Sequence, residues 1–440
     1  LNTYKITSSR FSFYELHSER NAGFTDDLFV NFKDLSDYNK RGNMRYRFNR
    51  MEAAGSLGDL GTLLPIAIGM ILINGLDAIG VLFSIGLFFV LSGLYFGVTV
   101  PVQPMKVIGA YAIVSAISPD QIMASALLMG VVLLFLGSTG LVTQLGRYIP
   151  HSVVRGVQLS TGALLMAKGV QFIIGTSNFQ KIQQAAEPYL QIQTFGPIPI
   201  GIVIGIIGGL LTLLLLDTRK IPAGLVVVGV GLAIGLVLGT RTGLESVEFG
   251  LYWPARMPFG FPSQIDFTFA FLVLVMPQIP MTLGNAVVAY ADLSKEYFGD
   301  NSSRVTYRAA TISMGLANVF CFFVGGMPLC HGAGGLAAHY RFGARTAGSN
   351  LMIGSLFLLM AVFLGSHAVA FLHLLPLAIL GVLLLFAGSQ LALTILDVKV
   401  RKDLFVVLMM LGITLASNLA VGFIIGIFLA YTLRSKKLNV

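Results

Sequence analysis

Three stretches of the chain set polar or ionisable side chains into otherwise apolar sequence. The first is Pro101-Val102-Gln103-Pro104-Met105-Lys106. A proline that opens a helix fixes φ and gives up a donor the helix does not need. The amides that follow project from the helix end, carry partial positive charge and form a ready site for an anion. Gln103 adds donors suited to oxyanion oxygens. Lys106 falls inside the apolar span, where an unpaired charge costs about 3 kcal/mol or more. It either draws in an anionic ligand or pairs with a carboxylate such as Glu52 or Asp59, and the sequence supports the two readings equally.

The second stretch is Gly325-Gly326-Met327-Pro328-Leu329-Cys330-His331-Gly332-Ala333-Gly334-Gly335. Glycines let backbone amides come close to a ligand, and successive amides can form an anion-binding nest. His331 can donate a hydrogen bond or titrate near neutral pH. The competing reading is that the glycines only permit close helix packing. Cys330 reads as a small buried hydrophobe. The third stretch is Glu52 to Gly61, where Glu52 and Asp59, seven residues apart, share one helical face. Asp59 is a candidate to bind a coupling proton or to balance Lys106. It is equally suited to capping broken helix backbone beside Gly58 and Gly61. Gln278, Thr282 and Asn285 hold the matching place in the eighth apolar segment. Lys168 reads as paired or near a span end. His151, Arg155 and Gln158 read as interfacial, and His339, Arg341 and Arg345 as anchors at the cytoplasmic surface. No Walker A motif and no zinc-ligand spacing occurs, so neither an ATPase nor a metal or cofactor site is expected.

The surrounding composition decides the class. Of 440 residues, 55% are apolar and 11% charged, with mean hydropathy +0.81, whereas soluble domains carry about 25% charged residues. That excludes a soluble enzyme, a disordered scaffold and an ordinary nucleic-acid-binding domain. Cys321 and Cys330 cannot build a disulfide framework. The formal charge of +9 poses a question of placement across a membrane, with no nucleic acid needed.

Residues 1–48 form a polar tail. Beyond them the apolar sequence allows about 14 spans of about 20 residues. The expected segments are 50–73, 76–97, 99–117, 121–143, 150–174, 197–216, 222–240, 264–290, 303–324, 326–340, 347–365, 370–389, 403–418 and 419–434. A first repeat of seven spans (49–240) is thus joined by a polar linker (241–263) to a second (264–435), with a short tail at 436–440. Basic residues in alternate loops (Arg147, Arg219, Lys220, Lys295, Arg304, Arg308, Arg341, Arg345, Lys399, Arg401 and Lys402) place both termini in the cytoplasm. An odd number of spans per half inverts one half relative to the other, the mark of secondary transporters. Pro101 and Pro328 each open the third span of a half, which points to half-helices at spans 3 and 10.

Ser56-Leu-Gly-Asp-Leu-Gly-Thr-Leu-Leu-Pro65, Pro101 to Lys106, Val153-Val-Arg-Gly-Val-Gln158, Met327 to Leu336 and Tyr340-Arg-Phe-Gly-Ala-Arg345 together resemble the molybdate transporter branch of the sulfate permease (SulP-like) superfamily. The resemblance covers about residues 50–435. It implies an all-α polytopic fold of seven plus seven inverted spans with a core and a gate domain. It implies an anion bound between the facing ends of the third and tenth helices. Carried over residue by residue, it puts Gln103, Met105, Lys106, Cys330, His331, Gly332, Ala333 and Gly334 at or beside that anion. Glu52, Asp59, Gln278 and Asn285 are coupling or structural candidates. The expected partners are molybdate, with sulfate as the alternative, the lipid bilayer and a second copy of the chain as a homodimer. The expected location is the plasma membrane or an organellar membrane. A nucleobase permease of the same fold is the runner-up, and it would favour a carboxylate where Gln278 and Asn285 stand. A non-transporting anion sensor is the reading from another class. Cation coupling is expected, because moving a charge against an inside-negative potential costs about 2.3 kcal/mol per 100 mV.

Overall fold

The computed structural model describes residues 46–434, apart from 143, 145–147, 217, 219–221 and 242. Nearly all of the expected tail 1–48, the tail 436–440 and the loop residues Arg147, Arg219 and Lys220 lie outside the described residues.

Helices run Arg50–Ser56, Leu60–Leu72, Ala78–Phe96, Lys106–Ser115, Pro119–Thr139, His151–Ile174, Asn178–Ile182, Ile200–Leu215 and Ala223–Leu238. After an irregular stretch comes a long helix over 264–298, with π-helical turns at Ala270–Val275 and Thr282–Ala289. Tyr307–Val324, Ala333–Arg341, Ala347–Leu364, Ala368–Leu372, Leu377–Ala392, Arg401–Ala416 and Leu419–Thr432 follow. Among the described residues, seven helical stretches are long and apolar enough to cross a membrane, and Arg50–Ser56 with Leu60–Leu72 makes one more, bent by 44°. Large apolar side chains stand exposed on several helices, among them Leu214 at 79%, Val237 at 78% and Ile265 at 78%. Water would not tolerate that surface and lipid does.

Local chemistry sets the helix ends. Asp77, Ser118, Thr306, Thr346 and Asn418 each accept an amide of the turn they open. Gly97, Gly175 and Gly325 close helices in the left-handed conformation. The expected segment 370–389 is shifted: the helix begins at Leu377, behind Pro376. Proline suits the start of a helix and not its interior, so the chain before it forms the separate turn Ala368–Leu372.

Within lipid, apolar burial cannot drive helices together, and small residues that let backbones touch take over. Gly162 and Gly169 of helix His151–Ile174 meet the backbone of Gly388 and Gly381 in helix Leu377–Ala392. Gly86 meets Gly354 between Ala78–Phe96 and Ala347–Leu364. Gly130 and Gly315 bring Pro119–Thr139 against Tyr307–Val324. The polar linker closes open helix ends: Tyr252 N–H donates to Val362 at 2.8 Å and Met257 N–H to Phe323 at 2.7 Å.

Two segments break the helical pattern. Expected spans 99–117 and 326–340 each hold a two-residue strand followed by a short helix. The strands pair antiparallel, Gln103 opposite Cys330 and Pro104 opposite Leu329. Residues 227 apart in sequence, Pro101 and Pro328, thus lead into one shared structure.

Outside the spans, Glu187 accepts from the amides of Leu377 at 2.8 Å and Ala378 at 2.7 Å. Burial pushes its carboxyl up to about 7, against the downward pull of those amides. The folded value lies above the ordinary 4.5, so the folded state binds this proton more tightly than the unfolded one. The stability from this group is full at acid pH and is lost as pH rises through about 7. The melting temperature in detergent is therefore expected to fall between about pH 4.5 and about 7, and Glu187→Gln to flatten that slope. Gly169→Leu is expected to lower the melting temperature by overpacking worth about 1–3 kcal/mol. Gly412→Leu, at a position open to the outside, is the comparison that leaves it unchanged.

Candidate functional site

Inside a bilayer every backbone group needs a partner from the protein, and the two extended segments cannot supply all of their own. Asn318 Nδ2 donates to the carbonyls of Leu329 and Met314, both at 2.7 Å, and its Oδ1 accepts from Leu329 N–H at 3.1 Å. Asn350 does the same for the other segment: Val100 N–H donates to Oδ1 at 2.8 Å, and Nδ2 donates to the Val100 carbonyl at 2.8 Å. The strand pair continues through Met105 N–H to the Pro328 carbonyl at 2.9 Å.

His331 is fully buried and joins the segments. Its Nδ1 lies 2.9 Å from the Pro101 carbonyl and its Nε2 3.1 Å from Ser313 Oγ. A carbonyl only accepts, so Nδ1 carries the proton and Nε2 accepts from the serine. The ring stacks on Phe88 and Tyr290, with centroids 4.8 and 5.1 Å away. Both ring nitrogens are thus engaged within the protein.

The helix Lys106–Ser115 is capped from a distance. Gln278 Oε1 accepts from Val107 N–H at 2.9 Å and Ile108 N–H at 3.3 Å, and its Nε2 donates to Thr282 at 2.9 Å. The helix Ala333–Arg341 is not capped. Gly332 opens it without a side-chain bond. No acceptor in the described chain receives the amides of Ala333, Gly334 or Gly335; the first amide bonded there is Leu336, to the Gly332 carbonyl at 3.0 Å. Gly334 is exposed and borders open space, while Ala333 is half-buried.

Gln103 and Asp59 lie across the first turn of that helix. Gln103 Nε2 donates to Asp59 Oδ2 at 2.7 Å. A Cβ on Gly332 would collide with Gln103 Oε1, and one on Gly335 would crowd Asp59 Oδ2 and Gln103 Nε2. Only glycine leaves room for them. Asn285, half-buried in the π-helical turn, has its Nδ2 3.5 Å from the same Gly332 Cβ position. Lys106 is half-buried and close enough for its charge to act on Asp59 and Cys330. Among the described residues it makes no hydrogen bond or ion pair. Cys330 is buried, with Sγ 3.6 Å from the Pro104 carbonyl.

A family model described as "Molybdate transporter of MFS superfamily" matches residues 51–165 and 270–391, which include both extended segments and the Glu52–Asp59 and Gln278–Asn285 stretches. Molybdate transporter 1 of Arabidopsis thaliana is 33% identical over 416 residues, 87% of this chain and 88% of the relative. The chain belongs to the molybdate transporter family. Molybdate transporter 1 of Chlamydomonas reinhardtii is 28% identical over 86% of this chain and 90% of its own length. The fold is that of SLC26-type transporters. SLC26A9 overlays with TM-score 0.62 at 16% identity, over 88% of this chain and 66% of its own. The transmembrane domain of the cyanobacterial bicarbonate transporter BicA overlays with TM-score 0.60 at 14% identity, over 88% of this chain and 98% of its own. The members of this family are multi-pass membrane transporters, not enzymes.

Within this family member, the expected residues divide by geometry. Gln103, Met105, Lys106, Cys330, Gly332, Ala333, Gly334, Asp59 and Asn285 gather around the two extended segments. His331 and Gln278 are there too, but as ties within the protein. Glu52 is elsewhere: it accepts from Arg345 N–H at 3.0 Å and Thr346 N–H at 3.0 Å, so neither it nor Asp59 pairs with Lys106. His339 is buried against Thr99 at 3.1 Å and is no surface anchor. Asn318, Asn350, Ser313 and the role of Gly335 were not read from the sequence; a polar residue within an apolar span was the available signal for the first three. Asn318→Leu or Asn350→Leu would orphan two backbone groups, at about 1–3 kcal/mol each. Each is expected to lower the melting temperature in detergent more than Ser313→Ala does.

Proposed function

We propose that this chain carries molybdate across a membrane by alternating access, coupled to a cation. The observation that carries the reading is the uncapped N-terminus of Ala333–Arg341, three amides without acceptors beside open space. Helix-end amides stabilise an anion, and the named substrate of the relatives is one. The Asn285 carboxamide stands next to this end, and the charge of Lys106 acts on Asp59 beside it. Together they suit a tetrahedral dianion better than a neutral base. The other short helix contributes mainly through Lys106 and its dipole, since Gln278 occupies the amides of Val107 and Ile108. Gln103, Met105, Cys330 and His331 then shape and hold the cradle.

The same proposal includes fourteen spans as two inverted repeats, 49–240 and 264–435, joined by 241–263, with both termini cytoplasmic. Packing supports it. The second apolar segment lies on the eleventh and the fourth on the ninth, as an exchange of repeats requires, and the fifth lies on the twelfth. The basic residues in alternate loops support the orientation. A dianion entering against 100 mV costs about 4.6 kcal/mol, which is the reason for a coupled cation.

Purified protein in liposomes is expected to take up labelled molybdate, with excess sulfate competing only weakly. No uptake of molybdate, or equal competition by sulfate, overturns the substrate assignment. Lys106→Met removes a charged partner worth about 1.5–3 kcal/mol. It is expected to weaken molybdate binding, measured by calorimetry, by about 10- to 150-fold.

A further inference from the structure

Gln103 is 1% exposed, and its Oε1 is buried without any donor. Its Nε2 is spent on Asp59 at 2.7 Å. The orphaned oxygen lies over Gly332, at the uncapped helix end and beside Asn285. A buried acceptor left unmade is costly, and here its negative end faces the place where the proposed function puts an anion.

A glutamine amide turned over about its last bond exchanges oxygen and nitrogen at nearly the same positions. Asp59 decides which way it lies. As a carboxylate, Asp59 only accepts, so Gln103 must offer it the NH2 group and turn its carbonyl toward Gly332. As a carboxylic acid, Asp59 has an O–H to give. Gln103 Oε1 then accepts from Asp59, and the NH2 group faces the open helix end.

We propose that Gln103 reads the proton on Asp59: protonation of Asp59 turns the Gln103 amide from repelling to donating toward the bound oxyanion. This rests on the transport reading above and deepens it, since the proton and the anion then bind together. The proton comes from solution with the substrate and returns to solution on release. Few other groups compete for the role. Of the helices packed on Leu60–Leu72, Ala223–Leu238, Leu377–Ala392 and Ala368–Leu372 bring no charged residue. Ala78–Phe96 brings only Tyr95, and Lys106–Ser115 brings Lys106 and Tyr111. Lys106 is the titratable group whose charge acts on Asp59, and the buried Cys330 thiol feels both of them. His339, one turn beyond Gly335, is held by Thr99.

The test is calorimetric titration of the purified full chain with molybdate between about pH 6 and 8.5, in buffers of different ionisation heat. In the parent protein the Kd is expected to rise toward about tenfold per pH unit at the alkaline end, with about one proton taken up per anion. In Asp59→Asn the carboxamide NH2 can donate to Gln103 Oε1 at every pH. Its Kd is expected to be flat with pH, and its binding heat independent of buffer. A parent Kd that does not change with pH overturns the proposal without recourse to any variant. An unchanged slope in Asp59→Asn overturns it in favour of Lys106. Absence of molybdate binding by the parent at every pH overturns the transport reading, and this proposal falls with it.

Discussion

Peptide groups that leave a helix inside a hydrocarbon layer have no water to turn to, and the architecture of this protein follows from two segments that do so. Residues 98–105 and 326–332 run extended through the middle of the chain's helices. Each segment uses the other for part of its hydrogen bonding, through the strand pair. Part of what that pair leaves over is met by side chains: Asn318 and Asn350 from packed helices and His331 from the second segment itself, while Gln278 caps the helix that follows the first. Each of these is a polar group that would be costly alone in lipid and is stable because it meets a backbone group with the same problem. The amides of Ala333, Gly334 and Gly335 are left without an acceptor among the described residues.

That remainder is lopsided. Of two short helices in matching places, one has its positive end covered by a neutral glutamine carbonyl and the other does not. A pair of fully open ends would hold a dianion strongly from two sides. In the proposed site, one open end, one ammonium and one carboxamide would hold it from one side and along an edge. A carrier must release what it binds, so an arrangement with less fixed positive charge favours turnover over retention. The glycines also divide their work. Gly332 and Gly335 make space for Gln103 and Asp59, while Gly334 faces the open side.

How far these features could be read from the chain depends on the distance over which each is encoded. The two proline-led segments, their small residues and the polar residues beside them are local signals, and the fold brings these residues together. The boundary at Leu377 is equally local, yet Pro376 was passed over because the apolar run continues across it. Partnerships are another matter. Gln278 caps a helix 171 residues earlier, and Glu52 ties to an amide 294 residues later. No spacing on one helix face states such a pairing. Lys106 and Asp59 have opposite charges and similar depth, so pairing them was reasonable. The structure gives Asp59 a neutral donor instead, and among the described residues the ammonium makes no ion pair. His331 has the chemistry of a ligand contact, but its two acceptor and donor partners were on segments whose approach only the fold defines.

The bonding pattern also bears on movement. Leu60–Leu72, Ala78–Phe96, Tyr307–Val324 and Ala347–Leu364 are linked to the extended segments by buried side-chain bonds or close packing. His151–Ile174 and Leu377–Ala392 are instead fastened to each other, through facing glycines and through Gln158 to Thr394 at 2.9 Å. Between the two sets runs a bond from Lys168 Nζ to the Val114 carbonyl at 3.3 Å, near the C-terminus of Lys106–Ser115. A cation there complements the negative helix end, so it steadies the short helix from the opposite end to Gln278. It is a long, charge-to-dipole contact, weaker than the ties within either set. A displacement of one set against the other would therefore break at Lys168 well before it disturbed the cradle around Gly332, and the bound ion would travel with the segments that hold it.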